Sequence, residues 1–440
     1  MLHGSLLDKI LLFALPLAAS TILQQLFNSA DVAVVGRFDS SQALAAVGSN
    51  GAAINLLVNL FVGLSIGANV VVASYIGQRE PGKVRDAVHT IVSLALVSGF
   101  LLLTLGLALA RPLLLVMRTP ADVMDLSVLY LRLYFLGTPF IMIYNFGAAI
   151  LRSMGDSQRP LWCLFLSGII NVILNLILVI VFRLGVAGVA IATVIANAIS
   201  AGMILRYLMN EEDPFRLDWG RLSLKREHLS RVLRVGLPAG AQGTIFSLSN
   251  MSIQAAINSF GSLASAGSAA ALNFDFITFY FVSAFTQASV TFTSQNYGAG
   301  NVERCKRVLA LSMGAGLFFT GLACLACFIW RREILSLYTV DPVALSFGEI
   351  RMVHAVSLIW LCNTYEVSGG ALRGMGYSVL PTTLVLLGCC VLRLVWVYAV
   401  FPLWGDFASL MDIYPITWTV TGIATLIAYF RIRKKAFLAV

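Results

Sequence analysis

Three carboxylates, Asp31, Asp275 and Glu366, lie inside long apolar stretches of this chain. An ionised carboxylate near the centre of a bilayer costs on the order of several kcal/mol, so each must face a cavity or a partner and is a functional candidate. Asp31 has the richest context. At helical spacing Thr21, Gln24, Asn28 and Asp31 share one face. Other stretches carry matching polar rows: Asn55 and Asn59, then Ser167, Asn171 and Asn175, then Thr193, Asn197 and Ser200. Amides and hydroxyls can hydrogen-bond a carboxyl in either protonation state, which suits a group that cycles between the two. The same residue types also join transmembrane helices, so interhelical glue is the competing role. Asp275 lies early in its stretch between Asn273 and Thr278, where an interfacial position is open to it. Glu366 stands about two turns before Arg373 and can face a cavity or pair with that arginine. Asn145, Gln242 and Asn250 complete the polar set expected along a substrate cavity.

The elements that must position these residues follow from composition. Apolar residues make up 59% of the chain and charged residues only 12%, with a mean hydropathy of +0.86. A soluble domain carries about a quarter charged residues, and here the deficit is spread over long apolar runs. A bilayer span needs about 20 predominantly apolar helical residues. Twelve such runs are present, near 10–36, 50–76, 87–110, 128–151, 160–182, 184–208, 232–259, 269–297, 308–330, 351–372, 379–403 and 411–430. None shows the two-residue alternation of a lipid-facing barrel strand. The first run resembles a signal sequence in having Lys9 and the small triplet Ala18, Ala19 and Ser20, but polar residues continue inside it and it has a counterpart in the second half. It is expected to be retained.

Orientation follows from the basic residues of alternate loops. The set containing both termini holds twenty-one Lys and Arg, and the opposite set holds six: Arg37, Arg111, Arg118, Arg183, Arg331 and Arg332. Both termini are therefore expected in the cytoplasm, and the formal charge of +9 reflects this bias and not a nucleic-acid surface. Arg132, Arg351 and Arg393 lie in or beside spans and form no cluster in the sequence. The seven cysteines are scattered through apolar segments and read as small buried hydrophobes.

Self-comparison reveals a repeat. Ile76–Val88 (IGQREPGKVRDAV) aligns with Tyr297–Leu309 (YGAGNVERCKRVL), and Leu151–Pro160 (LRSMGDSQRP) aligns with Leu372–Pro381 (LRGMGYSVLP) in the same register. Leu15 and Pro16 align with Leu237 and Pro238 after a drift of a single position. A tandem duplication of a six-helix unit explains all three, giving lobes at 1–208 and 231–440 joined by a polar cytoplasmic linker at 209–230. Six is even, so the two copies run parallel about an axis along the membrane normal. Such a pair suits a central cavity that opens to alternate sides. Metal-ligand spacing and a nucleotide-binding loop are missing from the sequence. The four histidines are unpaired, and GLSIGA at Gly63–Ala68 reads as helix packing. An enzyme is not expected, nor a cofactor.

In combination, the early LP followed by NSADVAVVG, the paired IGQ and YGAGN segments and the paired LRSMGDS and LRGMGYS segments resemble the multidrug and toxic compound extrusion family, in its DinF-like branch, over essentially the whole chain. The resemblance implies an all-α membrane protein of about twelve transmembrane helices in two pseudo-symmetric six-helix bundles, V-shaped. It also implies a multi-pass location in the bacterial inner membrane and drug resistance by antiport of organic cations against protons or sodium ions. In that branch the first-span Asp joins an Asn and an Asp on the fifth span and a Thr on the sixth, and a Pro kinks the first span. Asp31, Asn171, Thr193 and Pro16 match, while Asn175 stands where the branch has the second acid, which removes one titratable site. Gln242 stands where another branch has a Glu. A monomer in contact with organic cations and membrane lipid is expected; a lipid-linked precursor flippase of the same superfamily is the alternative.

Overall fold

The structure, a computed structural model, describes residues 1–117 and 119–437. Arg118, counted above among the opposite loops, lies outside the described residues. The principal helices are α1 Leu6–Phe38, α2 Ser41–Gln78, α3 Pro81–Val116, α4 Ala121–Leu136, α5 Thr138–Ser153, α6 Gln158–Val181, α7 Gly185–Met209, α8 Arg226–Asn258, α9 Ser262–Gly298, α10 Val302–Ile329, α11 Pro342–Gly374, α12 Val379–Trp404 and α13 Phe407–Ala436. No strand occurs among the described residues.

Ten of these helices are long and apolar enough to cross a membrane, and α4 with α5, bent by 45°, makes an eleventh. The seventh expected run, α8, is 33 residues long but falls short in apolarity, because Gln242, Ser247, Ser249, Asn250 and Gln254 interrupt it. The α4–α5 bend has a local cause. Pro139 has no N–H to give the Phe135 carbonyl, and the Thr138 hydroxyl donates to that oxygen instead, at 2.7 Å. Large apolar side chains such as Leu12, Phe100, Trp162, Ile173 and Val181 remain exposed, as expected where the solvent is lipid.

The chain divides into two compact units, Ala19–Thr244 (the N-unit) and Met1–Ala18 with Ile245–Val440 (the C-unit). This differs from the division expected at the linker: the boundaries fall inside α1 and α8, each a few residues beyond its internal proline, Pro16 or Pro238. Packing explains the shift. In the C-unit, Ile10, Phe13 and Ala14 are buried in one cluster with Phe285, Phe292 and Val367, and Phe13 meets Phe292 edge-on at 5.6 Å. In the N-unit α8 runs against α2 so closely that a Cβ on Gly63 would come within 2.2 Å of Gly240 Cα. The linker is likewise no free tether. Lys225 pairs with Asp86 at 2.6 Å, the Asp218 N–H donates to His89 Nε2 at 3.1 Å, and Leu217 is buried, so residues 209–225 are held on α3 of the N-unit.

Candidate functional site

Asp31 lies on the C-terminal half of α1, with Phe27 one turn before it. Gly168 of α6 faces that ring: a Cβ there would come within 1.9 Å of Phe27 Cε2. Only a glycine lets α1 and α6 approach so far, and one turn further along α1 and two turns further along α6 the helices bring Asp31 and Asn175 together. The Asp31 side chain is buried, as are Asn171 and Asn175, which share a face of α6 at four-residue spacing.

The four side chains close a ring of hydrogen bonds. Asn175 Nδ2 donates to Asp31 Oδ1 and, at 3.2 Å, to Asn171 Oδ1. Asn171 Nδ2 reaches Thr193 Oγ1 on α7 at 3.5 Å, and that hydroxyl lies 3.4 Å from Asp31 Oδ2 and 2.9 Å from the Val189 carbonyl. The two long contacts make the Thr193 side the looser part of the ring. Asn175 Oδ1 is buried with no hydrogen-bond partner among the described residues. A buried, neutral-donor cradle around one carboxylate, with a spare acceptor beside it, can accommodate a proton or a small cation. Tyr130 and Tyr134, one turn apart on α4, stack at 6.4 Å, and Tyr130 is buried in one cluster with Val34 and Val35, the turn of α1 that follows Asp31. Sequence reading missed them, although their four-residue spacing was a visible signal.

Residues 16–177 and 238–399 each match the model of the MatE family, and the two segments start at Pro16 and Pro238, the same pair of prolines that the internal repeat aligns. The chain belongs to the MatE family. This MatE chain is similar to the probable multidrug resistance protein YoeA of Bacillus subtilis, 25% identical over 402 residues that cover 90% of this chain and 84% of that one. It is also similar to an FAD transporter of Shewanella oneidensis, 25% identical over 330 residues that cover 73% and 72% of the two chains. Its fold matches a MOP superfamily transporter from Pyrococcus furiosus with a TM-score of 0.92 at 21% identity, over 99% of this chain and 97% of that one, a likeness of architecture. Family and apolar helices together place the chain as a multi-pass protein of the cell membrane.

The other expected cavity residues of this MatE chain are dispersed. In the N-unit Gln24, Asn28 and Asn55 are exposed, while Asn59, Asn197 and Gln242 are half-buried. Asn145 spends its amide on the Ile141 carbonyl of its own helix at 2.9 Å. In the C-unit Asn250 is exposed, and the two acids are ion-paired. Arg351 donates to Asp275 Oδ2 through Nε at 3.0 Å and Nη2 at 2.5 Å. Glu366 lies 3.8 Å from Arg373, the structural tie that the sequence left open. One expectation is overturned outright. Arg351 and Arg393, distant in the sequence, do cluster, with their guanidinium carbons 5.5 and 4.9 Å from the centre of one ring, Tyr414. They lie on different helices, so no spacing rule could have joined them.

Proposed function

We propose that this chain is a secondary antiporter that exports cationic amphiphilic compounds in exchange for protons or sodium ions, with Asp31 as the coupling group and both termini in the cytoplasm. The observation that carries the reading is the closed ring at Asp31: a buried carboxylate held by amides and a hydroxyl, with no Lys or Arg in ion-pair contact among the described residues. Such a carboxylate needs a positive charge of some kind in a low-dielectric interior. A proton, a sodium ion or the cationic end of a substrate can each supply it, and competition among them is the simplest form of antiport. The name of the Bacillus subtilis relative points the same way, toward multidrug resistance, and neither reported relative is named as a flippase. The test is efflux of a quaternary ammonium dye from proteoliposomes under separate proton and sodium gradients. Asp31→Asn, which keeps size and hydrogen bonding but fixes the neutral state, is expected to abolish gradient-driven efflux in a protein that still inserts. Full ion-driven transport by Asp31→Asn, with loss in Glu366→Gln, would move the coupling site to the C-unit.

A further inference from the structure

We infer that the C-unit holds a binding site for an organic anion, a carboxylate or phosphate carried on an aromatic or apolar body, at the guanidinium of Arg393.

Arg393 on α12 is only 1% exposed, and among the described residues no carboxylate is in bonding contact with it. Its Nε donates to Thr417 Oγ1 at 3.3 Å and its Nη1 to Asn250 Oδ1 at 3.1 Å. Both partners are neutral. Phe246 and Tyr414 each place a ring 4.9 Å from Cζ, which covers the guanidinium with aromatic surface. Nη2 is buried and has no partner among the described residues.

The neighbouring charges do not balance it. Asp275 is the nearby acid, and its Oδ2 is taken twice by Arg351, whose Nη1 is occupied by Ser268 Oγ at 2.8 Å. Two arginines and one aspartate leave the cluster with one uncompensated positive charge. Burying an arginine without a counter-charge is strongly unfavourable, so the arrangement is complete only with an anion present. A guanidinium with aromatic surface around Cζ and free N–H groups at its edge suits a planar or tetrahedral oxyanion bound through two parallel hydrogen bonds.

Access comes past Asn250, which is exposed although it lies within the apolar part of the chain. An amide is costly against hydrocarbon, so that side of the cluster borders water and not lipid. Phe246, half-buried, supplies apolar surface for the body of the ligand, while Trp418, buried with its ring 5.6 Å from Tyr414, backs that wall.

The inference does not rest on coupling at Asp31, and the test separates the two. Fluorescein and rhodamine 6G share a xanthene core with opposite charge, and their binding to the full chain in nanodiscs can be followed by fluorescence polarisation. Wild-type protein is expected to bind fluorescein. Arg393→Gln is expected to weaken it by about tenfold or more, the size of one charge-assisted hydrogen bond, with rhodamine 6G binding retained and with partial recovery in Arg393→Lys. Asn250→Asp supplies the missing acid beside Arg393 and is expected to exclude fluorescein without loss of folding, which serves even if Arg393→Gln is unstable. Asp31→Asn should leave fluorescein binding unchanged. Absence of fluorescein binding in the wild type, wild-type fluorescein affinity in Arg393→Gln or Asn250→Asp, or an equal loss of both dyes in both variants would overturn the inference.

Discussion

The ring of Phe27 occupies the space that any side chain at residue 168 would need, with a Cβ on Gly168 falling 1.9 Å from Phe27 Cε2. This contact sets the distance between α1 and α6, and with it the bond from Asn175 to Asp31, one turn further along α1 and two along α6.

Gly168→Ala should therefore force α1 from α6 and cost about 1–3 kcal/mol through overpacking, together with a loss of coupled transport. Adding Phe27→Ala removes the clash and should recover part of both. Thermal unfolding and efflux of the two single variants and the double variant give the interaction energy; simple additivity would show that the contact does not set the helix spacing.

Asn175 is the neutral partner that leaves Asp31 as the only acid of the ring. With Asn175→Asp a second ionisable group enters the cradle, and the ions moved per substrate through this unit are expected to rise from one to two. The reversal potential of transport in proteoliposomes reads that ratio directly. An unchanged ratio would mean that residue 175 takes no part in ion binding.

Pro16 sits inside α1, which continues past it as a single helix. Its missing N–H leaves the Leu12 carbonyl without the usual intrahelical donor, a weak point at which a span can bend. Replacing it by Ala restores the donor, and the expected result is slower efflux at unchanged thermal stability. Equal efflux rates would remove Pro16 from the transport cycle.

Asp275→Asn leaves Arg351 buried without its counter-charge, and the expected loss is about 3–5 kcal/mol of stability. Removing both charges, as in Asp275→Leu with Arg351→Met, should cost less than the single change. Chemical unfolding of the three proteins in detergent decides it, since a double variant no better than Asp275→Asn would show that the pair is not where the cost arises.

Outside the spans, His228 in the polar segment ahead of the seventh expected run bonds the Tyr75 hydroxyl at 2.9 Å. Burial, more than the mixed charges around it, holds this imidazole below its usual value of 6.5. The unfolded chain then takes up a proton before the folded one does. The contribution of this contact is fully present above the ordinary value and is lost as pH falls toward the lower folded one. Unfolding midpoints of the wild type and His228→Phe should converge as pH drops below about 6.5; parallel profiles would assign the acid sensitivity elsewhere.

What was legible in the sequence follows from rules that act along one helix. Hydropathy marks the spans, a near-constant offset between the two halves marks the repeat, and four-residue spacing puts Asn171 and Asn175 on one face. Helical spacing marks the polar face of α1 around Asp31 as well, but its pairing with Asn171, Asn175 and Thr193 could be named only because the resemblance supplied it. Tertiary structure decided which faces meet. A glycine that admits one aromatic ring, the burial of the first half of α1 among residues of the C-unit, and the convergence of Arg351 and Arg393 on Tyr414 all depend on how helices far apart in the chain pack. Side-chain periodicity fixes a direction around one helix axis, but neither the distance nor the rotation of its neighbour, which close packing of particular residue pairs must settle.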